Sequence, residues 1–416
     1  MRDLQLDLGR MPLAGRAFPL VIFIGVHLLA LTAAGAYAPE AVRSPGLTIA
    51  RSFSACSLAA VGLALVYIAF PTAALPGMGS LFALPIGFAG LVGVRILFRR
   101  IGHARLFSRL VLVLGKGPRA DRAVAVARAS PAVAFLGQID LAQLEDISSL
   151  AQEARRLGVS DVVLAPEERR HALPLAALLR LRTTGVRILE LSTFIERETG
   201  RIDLAITNPS WLILSTGFTA ARRASAVIKR MYDIASALLL LCLLWPVLII
   251  AALAVRIDSP GGVIFRQIRV GRYGQNFELL KLRSMVTTAS SEASWTELND
   301  PRVTRVGKWI RLFRIDELPQ LWNVLRGEMS LVGPRPEQPE FVATLETQLP
   351  FYAERHMVKP GITGWAQVNY PYGASLQDAQ AKLEYDLYYA KNYSLFLDVE
   401  IVLKTIRVIL SPAGAR

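Results

Sequence analysis

A chain of 416 residues is longer than one ordinary domain, and 53% apolar residues with a mean hydropathy of +0.38 make it too apolar for a plain soluble enzyme. This excludes a disordered or fibrous chain, and 47 Lys and Arg against 33 Asp and Glu leave a net charge of +14, which suits anionic lipid, phosphorylated substrates or nucleic acid. Cys56 and Cys242 lie in apolar stretches and the four histidines are scattered, which argues against a disulfide framework, a metal cluster or a Ser-His-Asp triad and for a cytosolic catalytic part.

From the N-terminus, Ala17 to Ala36 is uncharged and, at about 1.5 Å per residue, long enough to cross a hydrocarbon core of roughly 30 Å. Ser52 to Val94 is a second uncharged run. Pro71 and Pro76-Gly77 break it into two apolar segments, predicting a membrane hairpin and three spans in all. The first span has a rival reading as a signal peptide, because Arg10 and Arg16 precede it and Ala34-Gly-Ala-Tyr-Ala38 resembles a peptidase site, although its apolar core is long for one. Arg95, Arg99, Arg100, Arg105 and Arg109 put the side after the third span in the cytosol. An odd number of spans then sets the N-terminus outside, against its own three arginines, so the number and orientation of spans stay open.

Residues 105–218 alternate strand-like and helical runs, which predicts a small parallel sheet. Its first turn, Gly115-Lys-Gly117-Pro-Arg-Ala120, has dinucleotide-cradle spacing, with Asp140 as a poor candidate for the ribose acid. Pro118 removes an amide that a pyrophosphate would use, so a tight turn without ligand is the competing reading.

A further uncharged run, Ile234 to Val255, contains Pro246. A straight span would carry the C-terminal part to the opposite face, whereas a helix kinked at Pro246 that dips in and returns would keep both parts on one side.

Between Ala221 and Arg314, 15 basic residues and 6 acidic ones are interleaved with glycines, which allow backbone amides and cations to approach an anion. Next comes Asp316-Glu317, with Pro319 marking the start of a helix, so the two carboxylates sit at or just before a helix N-terminus, either as caps or as reactive groups. Arg311, Arg314 and the proline-flanked Arg335 are near in sequence.

From Lys229 to about Leu410 the chain closely resembles the bacterial sugar transferases, monotopic polyprenyl-phosphate phosphoglycosyltransferases. The matching residues are Phe265-x-Gln267-x-Arg269-x-Gly271, Lys281-Leu-Arg-Ser-Met285, Asp316-Glu-Leu-Pro-Gln-Leu321, Met329-Ser-Leu-Val-Gly-Pro-Arg-Pro336 and Pro360-Gly-Ile-Thr-Gly-Trp-Ala-Gln367. The upstream part is similar to the larger, exopolysaccharide-associated subclass, though that subclass usually has more than three initial spans. Trp245 before the kink proline, where the family often has serine, is a second departure.

The resemblance implies a membrane protein with N-terminal transmembrane helices (1–104), a small α/β Rossmann-like domain (105–218) and a mainly α catalytic domain (219–416) with a re-entrant helix at about 229–257. It implies transfer of a sugar 1-phosphate from a UDP-sugar to undecaprenyl phosphate with release of UMP, and Mg²⁺ beside Asp316. It places the protein in the bacterial inner membrane, its catalytic domain facing the cytosol. Inner-membrane lipid is then a partner, nucleic acid is not, and a homodimer is allowed.

In that frame Asp316 is the nucleophile and Glu317 its companion, with Lys281, Arg283, Arg311 and Arg335 clamping phosphates. Trp365 and Gln367 are candidates for a nucleotide or sugar wall, or part of a buried structural turn. Leu395 to Leu410 reads equally as an interfacial amphipathic helix or as core. A nucleotide-sugar oxidoreductase using the Gly115 turn, and a non-catalytic scaffold, are the rival functions. The first lacks a convincing catalytic set, and the second leaves the Asp316-Glu317 pair unexplained.

Overall fold

The computed structural model describes residues 13–34, 36, 45–73, 86–90, 92–94, 97, 108–140, 154, 156–167, 175–207, 217, 223–286, 302–371, 373 and 375–410. Pro76-Gly77, Arg95, Arg99, Arg100, Arg105 and most of the third expected span lie outside the described residues. The chain divides into two compact units, Met1–Leu110 with Pro131–Phe135, and Val111–Ser130 with Leu136–Arg416.

In the first unit, α1 (Leu13–Ala33) and α2 (Pro45–Ala69) pack through small side chains: Ala55 and Ala59 are buried, and a Cβ on Gly62 would come 3.1 Å from Val26. Phe18, Ile24, Leu28, Phe53, Val61 and Ile68 point outward. Proline is favourable in a first helical turn, which lets α2 start at Pro45 and take in Arg51, earlier than the uncharged run indicates. Among the described residues, the helices long and apolar enough to cross a membrane fall at Arg51–Ile68 and Ala226–Asp258, with a shorter apolar helix at Phe18–Thr32.

Most of the expected parallel sheet belongs to the second unit, which begins at Val111. Strands β1 (Arg109–Leu114), β2 (Val133–Ile139), β3 (Asp161–Leu164) and β4 (Arg187–Glu190) stand in the order β2-β1-β3-β4. Val111 pairs with Asp161, and Asp161 with Arg187. Helices α3 (Pro118–Ala129), α4 (Leu175–Thr183) and α5 (Leu191–Thr199) accompany it.

The Gly115 turn has its own structural reason. Gly115 has φ 141°, and a Cβ there would fall 2.2 Å from the Ala165 carbonyl oxygen; a Cβ on Gly117 (φ 86°) would fall 2.8 Å from a Glu167 carboxylate oxygen. The glycines admit a neighbouring strand end, and a carboxylate stands where a pyrophosphate would need positive potential. This favours the tight-turn reading.

The same unit continues through α6 (Arg223–Asp258), the antiparallel hairpin β5 (Ile264–Val270) and β6 (Asn276–Leu282), α7 (Arg305–Leu312), α8 (Gln320–Arg326), β7 (Ser330–Val332) and α9 (Pro339–Gln348). It ends with β8 (Gly361–Thr363), α10 (Trp365–Asn369), α11 (Leu376–Asn392) and α12 (Leu395–Leu410).

Both ends of α6 are fastened to this part. Near its start, Arg230 donates to the Val324 and Leu325 carbonyls at the end of α8, and Lys229 pairs with Asp398. At its end, Asp258 accepts from the Val306 amide of α7, and Ala251 and Val255 share a core cluster with Leu282 and Ile310. Between them Leu239, Leu243, Trp245 and Ile250 are exposed. The C-terminal α12 is a core element: Asp398 and Ile401 are fully buried, and the Tyr389 hydroxyl donates to Asp398.

The segment after β4 is seated on α10 and α11. Lys391 pairs with Glu196 at 2.6 Å, the Ile202 amide donates to the Glu384 carbonyl, and the Trp365 indole donates to the Gly200 carbonyl.

Candidate active site

The site is assembled on the β5–β6 hairpin by local devices. Thr304 caps α7 by accepting from the Gly307 amide. Gly307 lies so close to the chain just after β6 that a Cβ would fall 2.0 Å from the Ser284 carbonyl oxygen. After α7 the chain reverses at Arg314, a non-glycine residue in the left-handed region (φ 57°), a conformation costing on the order of 1 kcal/mol or more. That reversal leads into a three-residue 3-10 turn, Ile315–Glu317, in which Asp316 and Glu317 are both buried.

Asn323 on α8 fixes the register. Its Oδ1 accepts from the Leu280 amide at 3.1 Å, and its Nδ2 donates to the Glu278 carbonyl at 2.7 Å and to Glu328. Lys281, next along β6, is thereby set opposite the dyad.

The two carboxylates have opposite surroundings. One oxygen of Glu317, Oε1, lies 3.4 Å from Arg314, 3.4 Å from Arg335 and 3.7 Å from Lys281. Burial opposes its ionisation, but Arg335, Lys281 and Arg314 outweigh burial and hold its carboxyl well below the usual range. Among the described residues none donates a hydrogen bond to Asp316. Burial, and then the Glu317 charge, push its pKa up against Lys281, Arg311 and Arg314. Lys281 is pushed down to about 8, by burial and then by Arg335, with Glu317 and Asp316 opposing.

A small depression open to solvent adjoins this centre. Arg269, Lys281, Gln320, Arg335, Pro336 and Gly361 are among its lining residues.

The sequence-derived set is therefore divided. Asp316, Glu317, Lys281 and Arg335 come together, and Arg311 acts on Asp316 through its charge. Arg283 is used elsewhere: its buried guanidinium donates to Ser259 and to the Pro260 carbonyl, holding the end of α6. Trp365 is no open stacking platform, since Tyr388 stacks on it at 5.7 Å and Lys404 lies 4.0 Å from its ring centre. Gln367 donates to the Ile362 carbonyl, while its own carbonyl oxygen is buried without a partner. These two side chains follow the structural-turn reading of the Pro360 motif.

Arg269, Arg314 and Gln320 also join the site, outside the sequence-derived set. Arg269 and Gln320 were visible only as members of motifs, and nothing in the sequence marks the left-handed turn at Arg314.

The model of the bacterial sugar transferase family matches residues 224–412, which contain every one of these site residues. A UDP-glucose:undecaprenyl-phosphate glucose-1-phosphate transferase of Caulobacter vibrioides is 41% identical over 207 residues, 49% of this chain and 78% of that protein. An uncharacterised sugar transferase of Bacillus subtilis is 40% identical over 192 residues, 45% of this chain and 90% of that one. The chain belongs to the bacterial sugar transferase family.

A UDP-N-acetylgalactosamine-undecaprenyl-phosphate N-acetylgalactosaminephosphotransferase of Aeromonas hydrophila is 44% identical over 240 residues, 58% of this chain and 56% of that protein. A likeness of that length reaches upstream of 224–412 into the segment carrying α5. The chain spans about half the length of that relative, so family membership covers the transferase part of a larger architecture.

Proposed function

We propose that this bacterial sugar transferase moves a sugar 1-phosphate from a UDP-sugar to undecaprenyl phosphate, releasing UMP, in exopolysaccharide assembly. The observation that carries the reading is the unequal dyad: Glu317 is locked among three cations while the adjacent Asp316 is unpaired and faces the same basic surface. The acceptor phosphate is already an anion, so repulsion between phosphates is the obstacle, and cations are what the site supplies.

A carboxylate oxygen of Asp316 attacks the phosphorus that bears the sugar. The bond to the bridging oxygen breaks, and UMP leaves with the electron pair. A phosphate oxygen of the lipid then attacks the same phosphorus and releases Asp316. Glu317 keeps Arg314, Arg335 and Lys281 converged on the phosphates. Mg²⁺ commonly takes one or two carboxylates plus substrate phosphates, and the unpaired Asp316 carboxylate fits that demand; when bound, the ion would neutralise diphosphate charge.

Purified protein given a UDP-sugar and Mg²⁺ without lipid is expected to release UMP in a burst equal to the enzyme concentration, with a phospho-sugar adduct on Asp316 by mass spectrometry. UMP release that strictly requires the lipid, without an adduct, would favour direct displacement.

The protonation of Lys281 gives a pH dependence. In the free enzyme its ammonium persists below about 8 and is lost above it, so kcat/KM for the donor should fall as pH rises through that value. Lys281→Arg should remove this alkaline fall, because guanidinium stays charged. Superimposable profiles of the two proteins would refute the assignment.

Residues 226–258 are proposed to enter and leave the cytosolic leaflet of the inner membrane from one side. Support comes from the fastening of both ends of α6 to one unit, the exposed apolar middle and Pro246 within it. Labelling is best read at Ala226→Cys and Gly262→Cys, since Ser259 is buried against Arg283. In a Cys56- and Cys242-free variant both new thiols should resist an impermeant reagent in intact cells and react in inverted vesicles. Labelling from opposite faces would mean a straight span.

A further inference from the structure

Pro334-Arg335-Pro336 has only one backbone N–H among three residues, so its placement depends on what its carbonyls accept. Four successive carbonyls are taken from three places in the fold: β8, Arg355 and the end of β5. Pro334 accepts from the Gly361 amide at 2.9 Å, and Arg335 from Arg355 Nη2 at 3.0 Å. Pro336 accepts from Arg269 Nη1 at 3.2 Å, and Glu337 from the Val270 amide at 2.9 Å.

Arg355 is the donor aimed at Arg335 itself, and it is 5% exposed. Its Nε and Nη2 donate to one oxygen of Asp386 at 3.1 and 2.7 Å, and its Nη1 donates to the Tyr352 hydroxyl at 2.9 Å. Asp386 is itself 2% exposed. With the rigid guanidinium fork held on two sides, its Nη2 direction is fixed at the Arg335 carbonyl. Burying such a pair carries a desolvation cost that apolar packing would avoid, which fits a geometric task.

We infer that Arg355 and Asp386 are positioning residues which, through the Arg335 carbonyl, hold the Arg335 guanidinium against Glu317 and the donor diphosphate. This rests on the reading of Arg335 as a donor-phosphate cation.

The test is UDP affinity in the presence of Mg²⁺, measured by calorimetry on the full chain in detergent for wild type, Arg335→Ala, Arg355→Lys and the double variant. Arg355→Lys keeps the charge but loses the fork. It should weaken UDP binding about ten-fold, and the double variant should bind within about two-fold of Arg335→Ala, because both changes remove the same contact. A purely structural role would multiply the two losses instead. Tyr352→Phe, which deletes one hydrogen bond, should give a smaller weakening that likewise vanishes in the Arg335→Ala background, and it serves if Arg355→Lys does not fold. If Arg335→Ala weakens UDP binding while the Arg355 and Tyr352 changes do not, or if the losses multiply, the positioning role is refuted and the site reading stands. If Arg335→Ala leaves UDP affinity unchanged, the phosphate reading of Arg335 falls, and this inference with it.

Discussion

Asp316→Asn is expected to lower transfer by roughly 10³-fold or more and to abolish the UMP burst, since an amide cannot form the acyl phosphate. The same substitution should raise thermal stability. Burial and the Glu317 charge lift the Asp316 pKa above its unfolded value, so its ionised form is less favourable folded than unfolded and opposes folding at neutral pH. A neutral amide removes that penalty.

Glu317→Gln should do the reverse. Its carboxyl is depressed to about 2 by Arg335, Lys281 and Arg314 in spite of burial. Its contribution to stability is therefore present above the unfolded carboxyl pKa and is lost as pH falls through the folded one. Neighbouring isosteric changes thus shift the melting temperature at pH 7 in opposite directions while both impair turnover. Thermal unfolding in detergent alongside a transfer assay checks this, and a stable, fully active Asp316→Asn protein would remove the nucleophile from the mechanism.

Asn323→Ala should be the most damaging change away from the reacting groups. Asn323 is wholly buried, and its loss leaves the Leu280 amide and the Glu278 carbonyl without this partner. At about 1–3 kcal/mol for each of these two groups, the expected loss is on the order of 2–6 kcal/mol. Lys281 follows Leu280 on the same strand, so the donor KM should rise as well. Asn323→Asp should also fail, because it keeps the acceptor, loses the donor and buries a charge. Denaturation in detergent with wild-type stability for both variants would refute the account.

The segment after β4 reaches the transferase part through its seat on α10 and α11. The Trp365 indole and Lys391 are committed to Gly200 and Glu196, so the Pro360 motif is braced by residues outside the matched transferase segment.

Several features were legible in the chain by itself because they depend on neighbours in sequence. The apolar runs announce α1, α2 and α6. The βα alternation announces the parallel sheet, and Pro319 behind two acids announces a turn leading into a helix. The motif glycines were legible as residues but not as contacts: Gly333, Gly361 and Gly364 are required because a Cβ on any of them would fall within 2.3 Å of a backbone atom of another strand or turn.

What a cation touches was decided only by the tertiary structure. Arg283 and Arg335 look alike in their motifs, yet one is consumed in holding the end of α6 and the other faces Glu317. Trp365, which the sequence leaves open between a stacking wall and a buried structural turn, is covered by Tyr388, Lys404 and the Gly200 carbonyl. The sequence determined which groups were available and the local turns that carry them. Folding determined their roles, because a guanidinium, an indole or a carboxylate acts on whatever lies within a few ångströms of it. Those neighbours are separated by tens of residues along the chain, where no local pattern records them.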